Sequence, residues 1–188
     1  MHIQASDKAD ADAPPFRPRL VPAGDGAHLH FYLIYRVALG VALLLVYFGI
    51  GRGPLGTHLP QVFTVAVHLY MVASVVALLM HLRGVGDAEK QGQIAVFLDI
   101  LLITVMMHAS GGVQSGLGML IAVSIALGSL GLVGHTALLF AAIGTLAVLT
   151  ERIYSHIVNA FNDTAYTQAG LLGISFFAMA LLAHLLGR

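Results

Sequence analysis

Six runs of apolar residues, separated by short polar or glycine-rich breaks, organise this chain. They cover roughly residues 29–50, 60–82, 93–109, 117–132, 136–153 and 165–186. A membrane-spanning helix needs about 17–25 residues, and most of the runs reach that length. The fourth and fifth are short, with only Val133-Gly134-His135 between them. Together they are nearly twice one span. Gly131 and Gly134 therefore favour a tight turn joining two helices over one long helix. The breaks have the composition of turns. Gly51, Gly53, Pro54 and Gly56 fill the first, and charged residues the second. The third reads Ser-Gly-Gly-Val-Gln-Ser-Gly over 110–116, and the last is polar with Asn159, Asn162 and Asp163. No internal repeat is visible.

Composition turns six apolar runs into a membrane reading. The chain has 188 residues, 58% hydrophobic and only 10% charged, with a mean hydropathy of +0.87. Soluble domains carry about 25% charged residues, so a soluble fold of this size lacks the charge to cover its surface. In a bilayer the apolar side chains face outward without penalty. The expected fold class is all-α, a polytopic membrane protein of six transmembrane helices.

Residues 1–28 stand apart. They hold Asp7, Lys8, Asp10, Asp12, Arg17, Arg19 and Asp25 with Pro14, Pro15, Pro18 and Pro22. Such a mixture buries little apolar surface, so a disordered cytoplasmic tail is expected there, followed by a six-helix transmembrane domain over 29–188. The tail has no basic start leading into an apolar run, so it does not read as a cleavable signal peptide.

Orientation follows from Lys and Arg placement. With the N-terminus inside, inner segments carry Lys8, Arg17, Arg19, Arg83, Lys90 and Arg188, and outer ones Arg52 and Arg152. The excess favours both termini in the cytoplasm. Zero formal net charge gives a nucleic-acid partner no support. The absence of Cys excludes disulfides, thiolate metal sites and Cys nucleophiles.

Asp99 is the most informative position for chemistry. It lies about five residues inside the third run, where a carboxylate costs about 2.5–3.5 kcal/mol unless it is paired or protonated. Arg36 lies at similar depth in the first run. Either the two meet, or Arg36 snorkels to lipid phosphates while Asp99 reaches interfacial water. A proton relay or ion site would need further acids at membrane depth, and none is expected.

The ten histidines invite a haem or metal reading. His68 and His81 stand thirteen apart on the second run, but His68 has no second axial histidine at matching depth. His30, His81, His135 and His184 are expected near the inner surface. No cofactor or metal is therefore expected. Gly118, Ala122 and Ala126, and then Ala137, Ala141 and Thr145, recur every four residues. Such stripes allow close helix packing, within the chain or against another membrane helix. Met106, Met107, Met119 and Met179 read as gap-filling residues.

Two stretches carry a family resemblance. They are Phe97-Leu98-Asp99-Ile100-Leu101-Leu102-Ile103-Thr104 and Ala109-Ser110-Gly111-Gly112-Val113-Gln114-Ser115-Gly116-Leu117-Gly118, supported by Tyr35-Arg36 and by Gln168–Gly173 opening the last run. From about His30 onward the chain resembles the membrane sensor of PilS-type histidine kinases, which govern type IV pilus genes. The resemblance implies a six-helix sensor in a bacterial inner membrane. It also implies detection of type IV pilin within the bilayer, a homodimer, and relay through the last helix. It points to Arg36, Asp99, Ser110, Gly111, Gly112, Ser115 and Gly118 as partner or signalling residues, though the glycine hairpin also serves simply to turn the chain. Family members continue into a PAS-like segment, a phosphoacceptor domain and an ATP-binding domain. Motifs for those do not occur in these residues, so no enzyme activity is expected of them. They read as the sensor part of a longer kinase, or as an independent remnant. The rival reading is a small transporter or channel subunit, which would show broken helices, repeats or several midplane polar groups.

Overall fold

The computed structural model describes residues 25–49, 55–130, 134–158 and 166–186. Those residues form six α-helices in chain order: α1 Asp25–Gly49, α2 Pro60–Leu82, α3 Ala88–Ala109, α4 Gly118–Ser129, α5 Gly134–Ile157 and α6 Tyr166–Leu186. A single 3₁₀ turn, Gly112–Ser115, joins α3 to α4. The described residues contain no strand, in line with the all-α, six-helix expectation. Apart from its last four residues, the expected N-terminal tail lies outside the described residues. Asp25 already begins α1.

Local signals set the helix ends. Pro60 opens α2, where its missing N–H is one of the donors a helix leaves unpaired anyway. Gly84 closes α2 with φ +66. Its N–H bonds the His81 carbonyl at 3.0 Å and that of Val85 bonds Met80 at 3.0 Å, the paired bonds of a left-handed helix stop. Asp87 caps α3, accepting from the Glu89 N–H at 3.2 Å. The cap lets α3 start at Ala88, five residues ahead of the apolar run that announced it.

α3 is central and the most buried of the five long helices, packed on α2, α4 and α5. α1 lies on α2, and α6 lies on α5 and α4. Small residues set the closest approaches. A Cβ at Gly118 would stand 2.7 Å from Leu172 on α6, and one at Gly173 would stand 2.7 Å from Thr145 on α5. The stripes read from sequence are thus spent on packing inside the chain. The methionines divide. Met106 and Met107 are fully buried, whereas Met119 is exposed and Met179 partly so.

Among the described residues five helices are long and apolar enough to cross a membrane. α4, with 12 residues, rises about 18 Å against a hydrocarbon core of about 30 Å. Of the fourth span expected over 117–132, the described residues are helical over Gly118–Ser129. Phe31, Leu45, Val65, Val72, Leu171 and Ile174 are among the large apolar side chains left outward-facing. In water that surface would aggregate, and in lipid it is the solvated face.

Candidate functional site

The two charges stranded in apolar runs meet. Arg36 stands eleven residues past the start of α1 and Asp99 eleven past the start of α3. The helices run in parallel from the same end, so both side chains sit about 16 Å along the bundle. Arg36 Nε donates to Asp99 Oδ1 at 2.7 Å, and the Tyr32 hydroxyl donates to Asp99 Oδ2 at 2.8 Å. Tyr32 and Arg36 are one turn apart on the same helix face. The guanidinium carbon lies 6.0 Å from the Tyr32 ring centroid and 5.7 Å from that of Tyr70 on α2. These distances allow cation–π attraction in a dry site. Arg36 and Asp99 are both 0% exposed, which excludes snorkelling. Because α3 begins early, Asp99 is at mid-helix and not off-centre. Arg36 Nη1 and Nη2 and the Tyr70 hydroxyl find no hydrogen-bond partner among the described residues. The aromatic faces are their main compensation. Chemically the cluster is a clamp joining α1, α2 and α3.

The other expected residues gather at the far end of α3, eleven residues and about 16 Å from Asp99. Ser110 Oγ accepts the Gly56 N–H at 2.9 Å and donates to the Met106 carbonyl at 2.8 Å. The Ala109 carbonyl accepts the N–H groups of His58 and Leu59, each at 3.1 Å. The α1–α2 loop therefore caps the last turn of α3. Gly111 (φ +102) and Gly112 (φ +78) take left-handed conformations that a side chain would strain. Ser115 Oγ donates to the Gly112 carbonyl at 2.7 Å, closing the 3₁₀ turn. Gly118 supplies the contact with α6 described above. The seven residues thus form two separate places, a charged clamp at mid-bundle and a buried hairpin at one end.

A third place was not anticipated. Glu151 on α5 is 6% exposed, so an acid besides Asp99 does lie buried, contrary to the expectation of none. Its Oε1 accepts from Ser155 Oγ at 2.7 Å and contacts His108 Nδ1 on α3 at 3.0 Å. Arg152, counted from sequence among the outer-segment charges, is 2% exposed and stacks 5.4 Å from the Tyr166 ring of α6. The available signal was Glu151 and Ser155 four apart, one helix face, where the apolar run fades. The essential partner, His108, is 43 residues away in sequence. As for the other histidines, the rings of His30 and His81 are 5.7 Å apart, so those two do share one end. His68 is exposed on α2, its Nδ1 2.7 Å from the Thr64 carbonyl. Among the described residues no three His, Asp or Glu side chains are placed to hold a metal ion.

A bundle of apolar helices joined by a sealed ion pair defines the class: a multi-pass α-helical membrane domain. Within that class, the chain belongs to the family of PilS-like transmembrane domains, whose pattern matches residues 26–188. It is 28% identical over 165 residues to the sensor protein kinase PilS of Pseudomonas aeruginosa. That alignment takes in 85% of this chain and 30% of the relative, so the chain spans less than a third of the relative's length. No solved structure matches the chain.

Proposed function

We propose that this chain is the membrane input domain of a two-component sensor histidine kinase in a bacterial inner membrane. In this reading it detects a hydrophobic helix, that of type IV pilin, and passes the signal through α6 to a kinase beyond Arg188. Family membership supports the sensor part. The observation that carries the choice against transport is closure. The ion pair at mid-helix is 0% exposed on both sides and forms a helix clamp. Transport proteins place polar groups in water-filled cavities between broken helices. The small-residue stripes are occupied within the chain, so a pilin helix would meet the outward aliphatic faces of α1, α2 or α6. α6 is tied to both α4 and α5, so a shift imposed elsewhere in the bundle can reach its end as a small displacement.

Photo-crosslinkers at Leu45, Val72 and Ile174, all outward-facing, test this in membranes with and without pilin. A pilin adduct on one face is expected. No adduct at any of the three, together with solute flux in proteoliposomes, would replace the sensor by the transporter. The reading frame beyond Arg188 tests the kinase part: a phosphoacceptor and ATP-binding domain are expected there.

A further inference from the structure

A groove of about 550 Å³ runs between α3 and α5, bordered on α3 from Phe97 to His108 and on α5 from Ile143 to Tyr154. Each border spans twelve residues, a rise of about 16 Å, or half of a hydrocarbon core of about 30 Å. The groove thus extends from the bundle's middle to one end, the thickness of one leaflet. Its wall is almost wholly apolar. Its rim is open, with Leu101 49% and Leu146 63% exposed. At its polar end sits Glu151, whose side chain is 4% exposed. Glu151 Oε1 is engaged by His108 and Ser155, but Oε2 is buried without a partner among the described residues. A buried carboxylate oxygen left unmet is costly, so its presence beside a groove marks an acceptor held for a donor from outside.

Arg152, the next residue, turns away: its guanidinium lies over the Tyr166 ring of α6 and does not border the groove. What the groove lacks is a donor at the Glu151 carboxylate. A lipid headgroup that carries a primary ammonium supplies one. The rest of the groove is apolar wall, which a lipid acyl chain, the solvent of an outward apolar face in a bilayer, suits. We propose that this groove binds one aminophospholipid from the adjacent leaflet. One acyl chain lies between α3 and α5, and the primary ammonium donates to Glu151 Oε2.

The chain has no Trp, so Leu146→Trp places a single fluorophore on the groove rim. A companion Val72→Trp, on the outward face of α2 and 59% exposed in the parent, reports bulk lipid. The full chain is reconstituted in phosphatidylcholine vesicles and titrated with acyl-brominated phosphatidylethanolamine, phosphatidylcholine or phosphatidylglycerol. Quenching at position 146 should half-saturate at about tenfold lower mole fraction of the ethanolamine lipid. That factor corresponds to a difference of about 1.4 kcal/mol. Position 72 should show no preference. Glu151→Gln should erase the preference. So should Ala147→Phe, which fills the groove and leaves Glu151 intact, and which serves if the first variant fails to fold. Equal quenching by the three lipids at position 146 would overturn the proposal, as would a preference surviving both variants. So would an absence of quenching there, which would mean that a second copy of the chain covers the groove.

Discussion

Replacing Asp99 by Asn keeps its size and its ability to accept from Tyr32 but removes the charge facing Arg36. The Arg36 Nε contact at 2.7 Å is then no longer an ion pair. The guanidinium stays in a site where it is 0% exposed, held chiefly by two aromatic rings. Breaking a buried pair by removing one partner costs about 3–5 kcal/mol in water-soluble proteins. In a bilayer the separated helices recover part of that by snorkelling and local water. Interhelical hydrogen bonds in membranes accordingly measure about 0.6 kcal/mol on average, with a maximum near 1.7. An ion pair desolvated on both sides should exceed that ceiling, so about 2–4 kcal/mol is expected for Asp99→Asn. Arg36→Gln should cost a similar amount, since it strands the carboxylate. The double variant Arg36→Gln/Asp99→Asn restores a neutral amide pair and should cost about 1 kcal/mol or less, because no charge remains buried. Equilibrium unfolding in mixed micelles, with helicity as signal, gives the four corners of the cycle. A coupling energy below about 1.7 kcal/mol would refute the reasoning, since the pair would then be worth no more than a neutral hydrogen bond.

Three other outcomes follow from the packing. Gly173→Ala puts a methyl group 2.7 Å from Thr145 and should destabilise the α5–α6 contact by about 1–3 kcal/mol. Gly170→Ala, with nothing within 4 Å, should be neutral or slightly stabilising in the same unfolding assay. Ser110→Ala leaves the Gly56 N–H without its acceptor and should cost about 1–3 kcal/mol. Faster hydrogen exchange at Gly56, with α1 exchange unchanged, would identify the loop as the part released. Gly111→Ala forces a side chain to φ +102 and should cost about 1–2 kcal/mol. Gly49→Ala, which meets open space, is its matched control in thermal melts.

The helices were legible wherever apolar character alone defines them. The second run was expected over 60–82 and is α2 Pro60–Leu82. Boundaries failed where polar residues continue a helix. Glu89, Lys90 and Gln91 belong to α3, but a hydropathy pattern stops short of them. That one error moved Asp99 from mid-helix to margin. The Arg36–Asp99 contact was legible because lipid offers neither charge a partner, leaving each the other as its best one. Glu151 was missed because an acid near the end of an apolar run looks like an interfacial residue until His108 is seen beside it.

Sequence by itself determined the solvent and the number of helices, since both depend on stretches of composition that no fold can alter. It also determined that two opposite charges had to be resolved inside the bilayer. Only the tertiary structure decided which faces are spent. It placed the small-residue stripes inside and buried Arg152. It also left a groove between α3 and α5 with an unmet carboxylate oxygen at its end. Those outcomes depend on the rotation of each helix about its axis and on contacts between residues far apart in the chain. Periodicity within a single helix marks a face suited to packing but does not say which distant residues meet it.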